Sequence, residues 1–340
     1  MLFVFLIISV FQLNSQHVEQ FYSRKLYPLV SYLASPLGGI SWSVGDVFYL
    51  VIAGVLLAQL GVFIFSILNK ERRRNSPLHF LSLCNGILLI LILFKVSWGM
   101  NYYRVPLRDY LALNAHSASQ DELVQTTRDF IKTINELRRE LVGAGVNRKV
   151  MSQEIVDYVK ADTLLNGYLH KDSGLTIKAP ISSSIVNYFL VSGYFNPFSL
   201  EAQVNQNIPW MSYPFTAVHE LGHKMGIGFE DECNFLAFYL LKDHDNMSFR
   251  YSAYYSAVRY LLLSVSQVVP QEYEGLYQAL SALVKGDMQE ERNFWLQQQT
   301  LYGELTSDVY QNYLILNNQP EGLIRYNLFV ELLLAFNSLG

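Results

Sequence analysis

Residues 47–68 read VFYLVIAGVLLAQLGVFIFSIL, a run of 22 residues that carries no charge. A helix of about 20 apolar residues crosses the ~30 Å hydrocarbon core of a bilayer. A buried helix of a water-soluble protein would show an amphipathic stripe, and this run shows none. The sequence therefore predicts a transmembrane helix here, and a membrane-embedded front to the chain.

A second apolar run, residues 78–98, is interrupted only by Asn85 and by Lys95, which lies close enough to its end for the ammonium to reach the interface. The connecting loop, residues 69–77, contains four basic residues, Lys70 and Arg72 to Arg74. Short basic loops stay in the cytoplasm. We therefore expect two transmembrane helices, a cytoplasmic loop between them, and an extracytoplasmic chain after the second.

The N-terminal segment, residues 2–13, is apolar but short for a membrane span. It has neither the basic n-region nor the small-residue cleavage site of a secretory signal peptide. Two interpretations stay open: a short signal anchor, which we favour, or a cleaved signal.

Charged residues are scarce and unevenly placed. They make up 16% of the 340 residues, against about 25% in an average soluble domain. Residues 1–100 hold only ten of the 54, and these sum to +4. The net charge of −4 gives no basic surface for nucleic acid. The chain divides into a membrane region, residues 1–100, and a water-facing domain, residues 101–340. Its two cysteines, Cys84 and Cys233, cannot form a disulfide framework.

The water-facing domain contains no further apolar run of membrane-spanning length. Helical periodicity marks residues 121–141, and helix formers dominate after Pro214. Residues 182–191 favour extended structure, either as a buried strand or as an edge strand that pairs with a substrate backbone. We expect a mostly α-helical domain with a small β component. Trp98 and the pair Tyr102–Tyr103 are interpreted as anchors at the membrane interface.

Residues 219–223 read His219-Glu220-Leu221-Gly222-His223. On a helix, positions i and i+4 share a face, so both imidazoles can reach one metal ion. Glu220 would then lie beside the metal, placed as the general base that takes a proton from water. The alternative is a solvated helix face, but the apolar flank of this segment favours a packed helix.

A zinc site of this kind needs a third protein ligand. Phe229 stands where the metzincin pattern has His or Asp, so that pattern fails. Glu230 and Glu232 follow at the start of the next predicted helix, and either carboxylate could complete the site. Acidic residues are also favoured there by the helix dipole alone. For the electrophile that stabilises an oxyanion, the candidates are Tyr326 with Arg325, and His244.

The segment after the motif resembles gluzincins, in which a Glu on a following helix binds zinc and the helix carries Glu-x-x-Ala-Asp/Asn-x-x-Ala. Glu230, Cys233, Asn234 and Ala237 fall on that spacing, with Cys233 replacing the first Ala. The resemblance implies that Glu230 is the ligand and that Asn234 orients an imidazole.

More broadly, nearly the whole chain resembles an uncharacterised bacterial family of membrane-anchored HExxH proteins. The matching landmarks include residues 98–104, 196–198, 214–223, 230–237 and 332–335. This resemblance implies a zincin-like metallopeptidase domain that holds one Zn²⁺ ion.

The sequence thus predicts a zinc metallopeptidase of the cytoplasmic membrane, with its catalytic domain outside and a peptide or protein as substrate. The alternatives are a membrane scaffold or assembly protein with a structural or vestigial metal site, and a zinc hydrolase of a non-peptide envelope substrate.

Overall fold

A computed structural model of the chain describes residues 1–113, 118–141, 147–163, 165–172, 174–299, 301–320 and 326–338. The N-terminal part comprises helices α1 (Leu2–Phe11), α2 (Ser15–His17) and α3 (Tyr27–Ala34), a π-helical segment (Val18–Leu26) and a 3₁₀ turn (Ser35–Gly39). The chain bends by 100° between α1 and the segment that follows, Ser15–Gly39. This N-terminal part would supply a third membrane span only if Leu2–Phe11 and Ser15–Gly39 crossed the membrane together as one bent span.

Two helices in the described ranges, α4 (Val44–Leu68) and α5 (Ser76–Ser97), are long and apolar enough to cross a membrane. Most of their side chains face outward, since the apolar windows are only 6% and 11% buried. Such outward apolar surface is compatible with helices that lie in a lipid bilayer. The two predicted spans are confirmed as apolar helices, which begin three and two residues earlier than expected. A short 3₁₀ turn, Arg73–Asn75, precedes α5.

A 3₁₀ turn, Gly99–Tyr103, follows α5, and the prediction of interface anchors is wrong for Trp98 and Tyr102. Trp98 and Tyr102 are buried, and Tyr103 is half-buried. The indole of Trp98 packs against the rings of Tyr102 and Phe195, at centroid distances of 4.9 and 5.0 Å. These aromatic residues fill a core between the end of α5, the N-terminal segment and the rest of the chain.

The remaining helices are α6 (Leu107–Tyr110), α7 (Gln120–Glu140), α8 (Arg148–Ala161), α9 (Ser183–Tyr188), α10 (Tyr213–Lys224), α11 (Glu230–Leu241), α12 (Met247–Val268), α13 (Pro270–Ala279), α14 (Ala282–Gln297), α15 (Leu301–Leu316) and α16 (Tyr326–Asn337). The predicted helix at 121–141 is confirmed as α7. A capping box between Ser119 and Glu122 begins this helix. The chain is mostly helical, 73%, with a small sheet, as the sequence predicts.

The sheet has three short strands, β1 (Ile177–Lys178), β2 (Gly193–Asn196) and β3 (Glu201–Val204), in the order β1-β3-β2. β1 runs parallel to β3, and β2 runs antiparallel to it. The prediction of a strand at 182–191 is wrong: the segment forms α9 and the turn after it. The Ser182 hydroxyl accepts a hydrogen bond from the backbone N–H of Ile185, which is a helix N-cap.

Helix α10 lies at the centre of the domain. It packs on β3 on one side and on α11 and α12 on the other, and its side chains join the largest buried cluster of the described residues. All four residues of β3 are buried. The His219–His223 motif therefore lies on a helix of which 10 of the 12 residues are buried.

The first turn of α4 is hydrogen-bonded to the sheet. The Glu201 carboxylate on β3 accepts hydrogen bonds from the backbone N–H groups of Gly45 (2.6 Å) and Val44 (3.3 Å), the first residues of α4. A carboxylate at a helix N-terminus is favoured by the helix dipole. Lys178 on β1 neutralises the same carboxylate. The start of α4 and the end of α5 thus both contact the domain, and the basic loop lies at their far ends.

Candidate metal centre

The turn after α10 positions the site. Gly226 has a φ of +97°, a conformation that costs least for glycine. Its N–H bonds to the carbonyl of His223 at 3.0 Å, and the N–H of Ile227 bonds to the carbonyl of Gly222 at 3.0 Å. This pair of bonds is a Schellman motif. It reverses the chain, so that α11 begins at Glu230 beside the helix that carries both histidines.

Three side chains converge between the two helices. The Nε2 atom of His219 lies 3.2 Å from Oε2 of Glu230, and Nε2 of His223 lies 3.4 Å from Oε1. The two imidazole centroids are 4.9 Å apart. Ligand atoms ~2.1 Å from a tetrahedral ion stand ~3.4 Å from one another. Both His–Glu separations are therefore close to the spacing of ligand atoms on one zinc ion.

The opposite nitrogen of each ring is fixed by an acceptor. Nδ1 of His219 is 2.8 Å from the amide oxygen of Asn234, and Nδ1 of His223 is 2.9 Å from the carbonyl oxygen of Ile227. Both acceptors require a proton on Nδ1, so a neutral ring presents the lone pair of Nε2 to Glu230. Lone pairs that face carboxylate oxygens need a cation between them, either a proton or a metal ion.

The ionisation of this group agrees with that requirement. Burial raises the pKa of Glu230, but the neighbouring imidazoles of His223 and His219 outweigh it and hold the pKa well below its usual range. Burial lowers the pKa of His223, but Cys233 and Glu230 outweigh that effect and raise it well above the ordinary value. Both directions favour a positive charge among these side chains.

Glu220 lies beside the histidines. Burial raises the pKa of its carboxyl to about 7, against the lowering effect of His219 and His223. Among the described residues, its Oε2 atom has no hydrogen-bond partner although it is buried. Strand β2 approaches closely here, since a Cβ on Gly193 would stand only 2.8 Å from Oε1 of Glu220. Glu220 thus has a free acceptor oxygen in the wall of a cavity.

Residues 22–334 match the family described as "Protein of unknown function (DUF3810)". The chain belongs to the DUF3810 family. The predicted membership of an uncharacterised family is therefore confirmed, and the match includes both spans and the convergent site. No curated protein and no solved structure matches the chain.

The other predicted site residues of this DUF3810 protein lie elsewhere. Glu232 turns away from the histidines and accepts a hydrogen bond from the backbone N–H of Arg108 at 3.2 Å. His244 is buried against the ring of Tyr158, at a centroid distance of 4.2 Å, and does not line the cavity. The prediction of His244 as the electrophile is therefore wrong. Tyr326 begins α16, but its side chain and Arg325 lie outside the described residues.

Cys233 forms a second contact with the site. His219, His223 and Cys233 constitute a group that could hold a metal ion, with ligand atoms within 4.8 Å of one another. The Cys233 sulfur, however, lies 3.4 Å from Nδ1 of His223, the nitrogen that already bonds to Ile227. Burial also raises the pKa of its thiol to about 12, which disfavours the thiolate that metals bind. The set with Glu230 is the better donor set.

The cavity in front of the two histidines measures about 570 Å³, and residues of β2, α10, α11, α12, α14 and α15 line it. Its wall includes Tyr102, which the sequence assigned to the membrane interface, and Tyr260 and Tyr313, which sequence reasoning missed. Burial raises the pKa of each, and that of Tyr260 reaches about 12, so these phenols keep their protons at neutral pH. The chain has 23 Tyr, and no local pattern distinguishes these three.

Proposed function

We propose that this DUF3810 protein is a membrane-anchored zinc metallopeptidase with a gluzincin-like, zincin-type catalytic domain. The observation that carries the proposal is the orientation of the two histidines. Their Nε2 atoms face the carboxylate of Glu230, while both Nδ1 atoms are fixed by acceptors. A structural role for a buried His–Glu cluster would not require Glu220, with an unpartnered oxygen, at the same place.

In this proposal His219, His223 and Glu230 hold one Zn²⁺ ion. The ion, when bound, would polarise a peptide carbonyl and make water easier to deprotonate. Glu220 takes the proton from the attacking water and passes it to the leaving amine. Asn234 and the Ile227 carbonyl hold the rings in the tautomer that leaves Nε2 free.

Two further features of the cavity suit a peptide. The Tyr313 hydroxyl, which accepts a hydrogen bond from the Tyr102 hydroxyl at 3.1 Å, keeps its own proton to donate to an oxyanion, and Tyr260 is the second candidate donor. Strand β2 is an edge strand, because β3 pairs with only one of its sides. An extended peptide can add to such an edge through backbone hydrogen bonds. An edge strand was one of two interpretations of residues 182–191 from the sequence, and β2 takes that role instead.

The topology completes the proposal. Lys70, Arg72, Arg73 and Arg74 lie in the loop at the ends of α4 and α5 that are remote from the domain. The positive-inside rule places that loop in the cytoplasm. The catalytic domain then faces the extracytoplasmic side of the cytoplasmic membrane, and its partners are the lipid bilayer and a peptide or protein substrate.

The test compares two carboxamide variants of the full-length protein in detergent. Glu220→Gln removes the base without altering a ligand, so we expect a normal zinc content and at least ~100-fold slower hydrolysis of a quenched peptide library. Glu232→Gln is the matched control, a buried glutamate two residues beyond Glu230, and should keep both zinc and activity. Full hydrolysis by Glu220→Gln would contradict the mechanism. A zinc-loaded wild type that cleaves no peptide would favour a scaffold.

A further inference from the structure

The chain between Lys178 and Glu201 contains no charged residue over 22 positions, yet it forms only α9, β2 and turns. Its apolar side chains are unusually exposed. The exposed fractions are 55% for Ile181, 59% for Ile185, 42% for Phe189 and 36% for Leu190. We call residues 181–190 the apolar segment. Clustered exposed apolar side chains of this kind mark a surface that contacts a partner or a membrane.

The apolar segment is tied to the first turn of the span α4. Asp46, the third residue of that helix, accepts a hydrogen bond from the backbone N–H of Ile181 at 2.9 Å. Its other oxygen accepts one from the hydroxyl of Tyr194 at 2.6 Å. The chain therefore contacts Asp46 at Ile181, two residues before α9, and again at Tyr194 on β2. The apolar segment is therefore held at the level where α4 enters the bilayer.

Neighbouring exposed residues mark the same level. Trp42, immediately before the N-cap Ser43, is 51% exposed, and on the second turn of α4 Tyr49 is 39% exposed. Tyr49 also contacts the ring of Phe198 edge-on, with centroids 6.0 Å apart. Trp and Tyr concentrate at the boundary between hydrocarbon and headgroups. The apolar segment is continuous with this boundary.

We propose that the apolar segment inserts into the headgroup region of the extracytoplasmic leaflet, as a membrane contact additional to the spans. A short, uncharged helix with Ile185 exposed on it and Phe189 exposed directly after it is suited to lie in that interface. A lipid surface is favoured over a second copy or a peptide, because Asp46 fixes the segment beside a helix whose outward surface already requires lipid. Phe189 and Leu190 also line the cavity, so its mouth opens at the lipid surface.

The experiment places one fluorophore on the full-length protein in nanodiscs of phosphatidylethanolamine and phosphatidylglycerol. Ile185→Cys is made in a Cys84→Ala background and labelled with an environment-sensitive NBD probe. Cys233 is fully buried and can remain. Leu283→Cys is the matched control: this apolar residue at the start of α14 is 52% exposed, and α14 packs on α7.

We expect lipids with a nitroxide near the headgroup to reduce emission at position 185 by about twofold or more, and to leave position 283 unchanged. Phe189→Cys provides a second labelling position with the same expectation. Equal, water-like emission at 185, 189 and 283 would overturn the proposal. A second result would also overturn the proposal. If the probe at 185 is shielded, is not quenched by the nitroxide lipids, and loses its shielding on dilution to one chain per disc, a second copy of the chain covers the segment. Neither outcome depends on catalysis.

Discussion

Asn234 offers a quantitative test of how the site is built. Its amide oxygen lies 2.8 Å from Nδ1 of His219 and is the acceptor that fixes the tautomer and orientation of this ring. Asn234→Ala removes the acceptor while all three proposed ligands stay in place. Asn234→Asp keeps an oxygen there, so it separates the loss of the hydrogen bond from the loss of an amide.

The expected loss of zinc affinity in Asn234→Ala follows from the role of Asn234 in orienting His219. Loss of a group that orients a metal-bound histidine weakens metal affinity by about 10- to 100-fold. At ~1.4 kcal/mol per tenfold change, this is ~1.4–2.8 kcal/mol of zinc binding. Asn234→Asp should bind zinc within about threefold of wild type, because a carboxylate is an ordinary partner for a metal-bound histidine.

The assay is a competition titration of the detergent-solubilised protein against a chromophoric zinc chelator. Glu232→Gln serves as the control, since burial and the neighbouring Asp231 raise the pKa of Glu232 to about 8, and a carboxamide resembles its protonated form. Wild-type affinity in Asn234→Ala would refute the assignment of His219 Nε2 as a ligand atom. An equal loss in Glu232→Gln would indicate general destabilisation of α11 and would contradict a specific orienting role for Asn234.

Three more predictions follow from particular contacts. Arg104→Met removes the buried one of the two arginines that pair with the Glu19 carboxylate at 2.9 Å and leaves only the half-exposed Arg24; we expect about 3 kcal/mol of destabilisation in detergent unfolding, partly restored by adding Glu19→Gln. Gly193→Ala brings a Cβ within 2.8 Å of Glu220, so peptide hydrolysis should fall ~10-fold or more with zinc content unchanged; equal activity would contradict the proximity of β2 to the base. If the cavity opens at the lipid surface, a peptide with an acyl anchor should be cleaved faster in liposomes than the same peptide without it, and equal rates would contradict that location.

The spans and the histidine motif were predictable because their signals are local. An uncharged run of 22 residues and two His at i and i+4 need no tertiary information. The choice between Glu230 and Glu232 as the third ligand required tertiary information. The two residues lie ~200° apart around α11, and the direction in which the helix leaves the Gly226 turn decides which one faces the histidines.

The errors also have physical causes. Residues 182–191 are rich in residues that favour strands, but a preference for strands partly measures burial on a sheet. Here Ile185 and its neighbours are exposed, and Ser182 caps a helix. Trp98 at the end of a span suggested an interface anchor. Its indole N–H instead donates to the His223 carbonyl at 2.8 Å, a contact over 125 positions that no local pattern indicates.

The zinc content of the purified full-length protein tests the central claim most directly. After dialysis against a weak chelator, we predict one zinc ion per chain in the wild type and in Glu232→Gln. We predict less than ~0.1 in His219→Ala, in His223→Ala and in Glu230→Ala, because three protein ligands are the minimum for such a site. A wild type without zinc, or a Glu230→Ala variant that retains a full equivalent, would contradict the proposed metal centre.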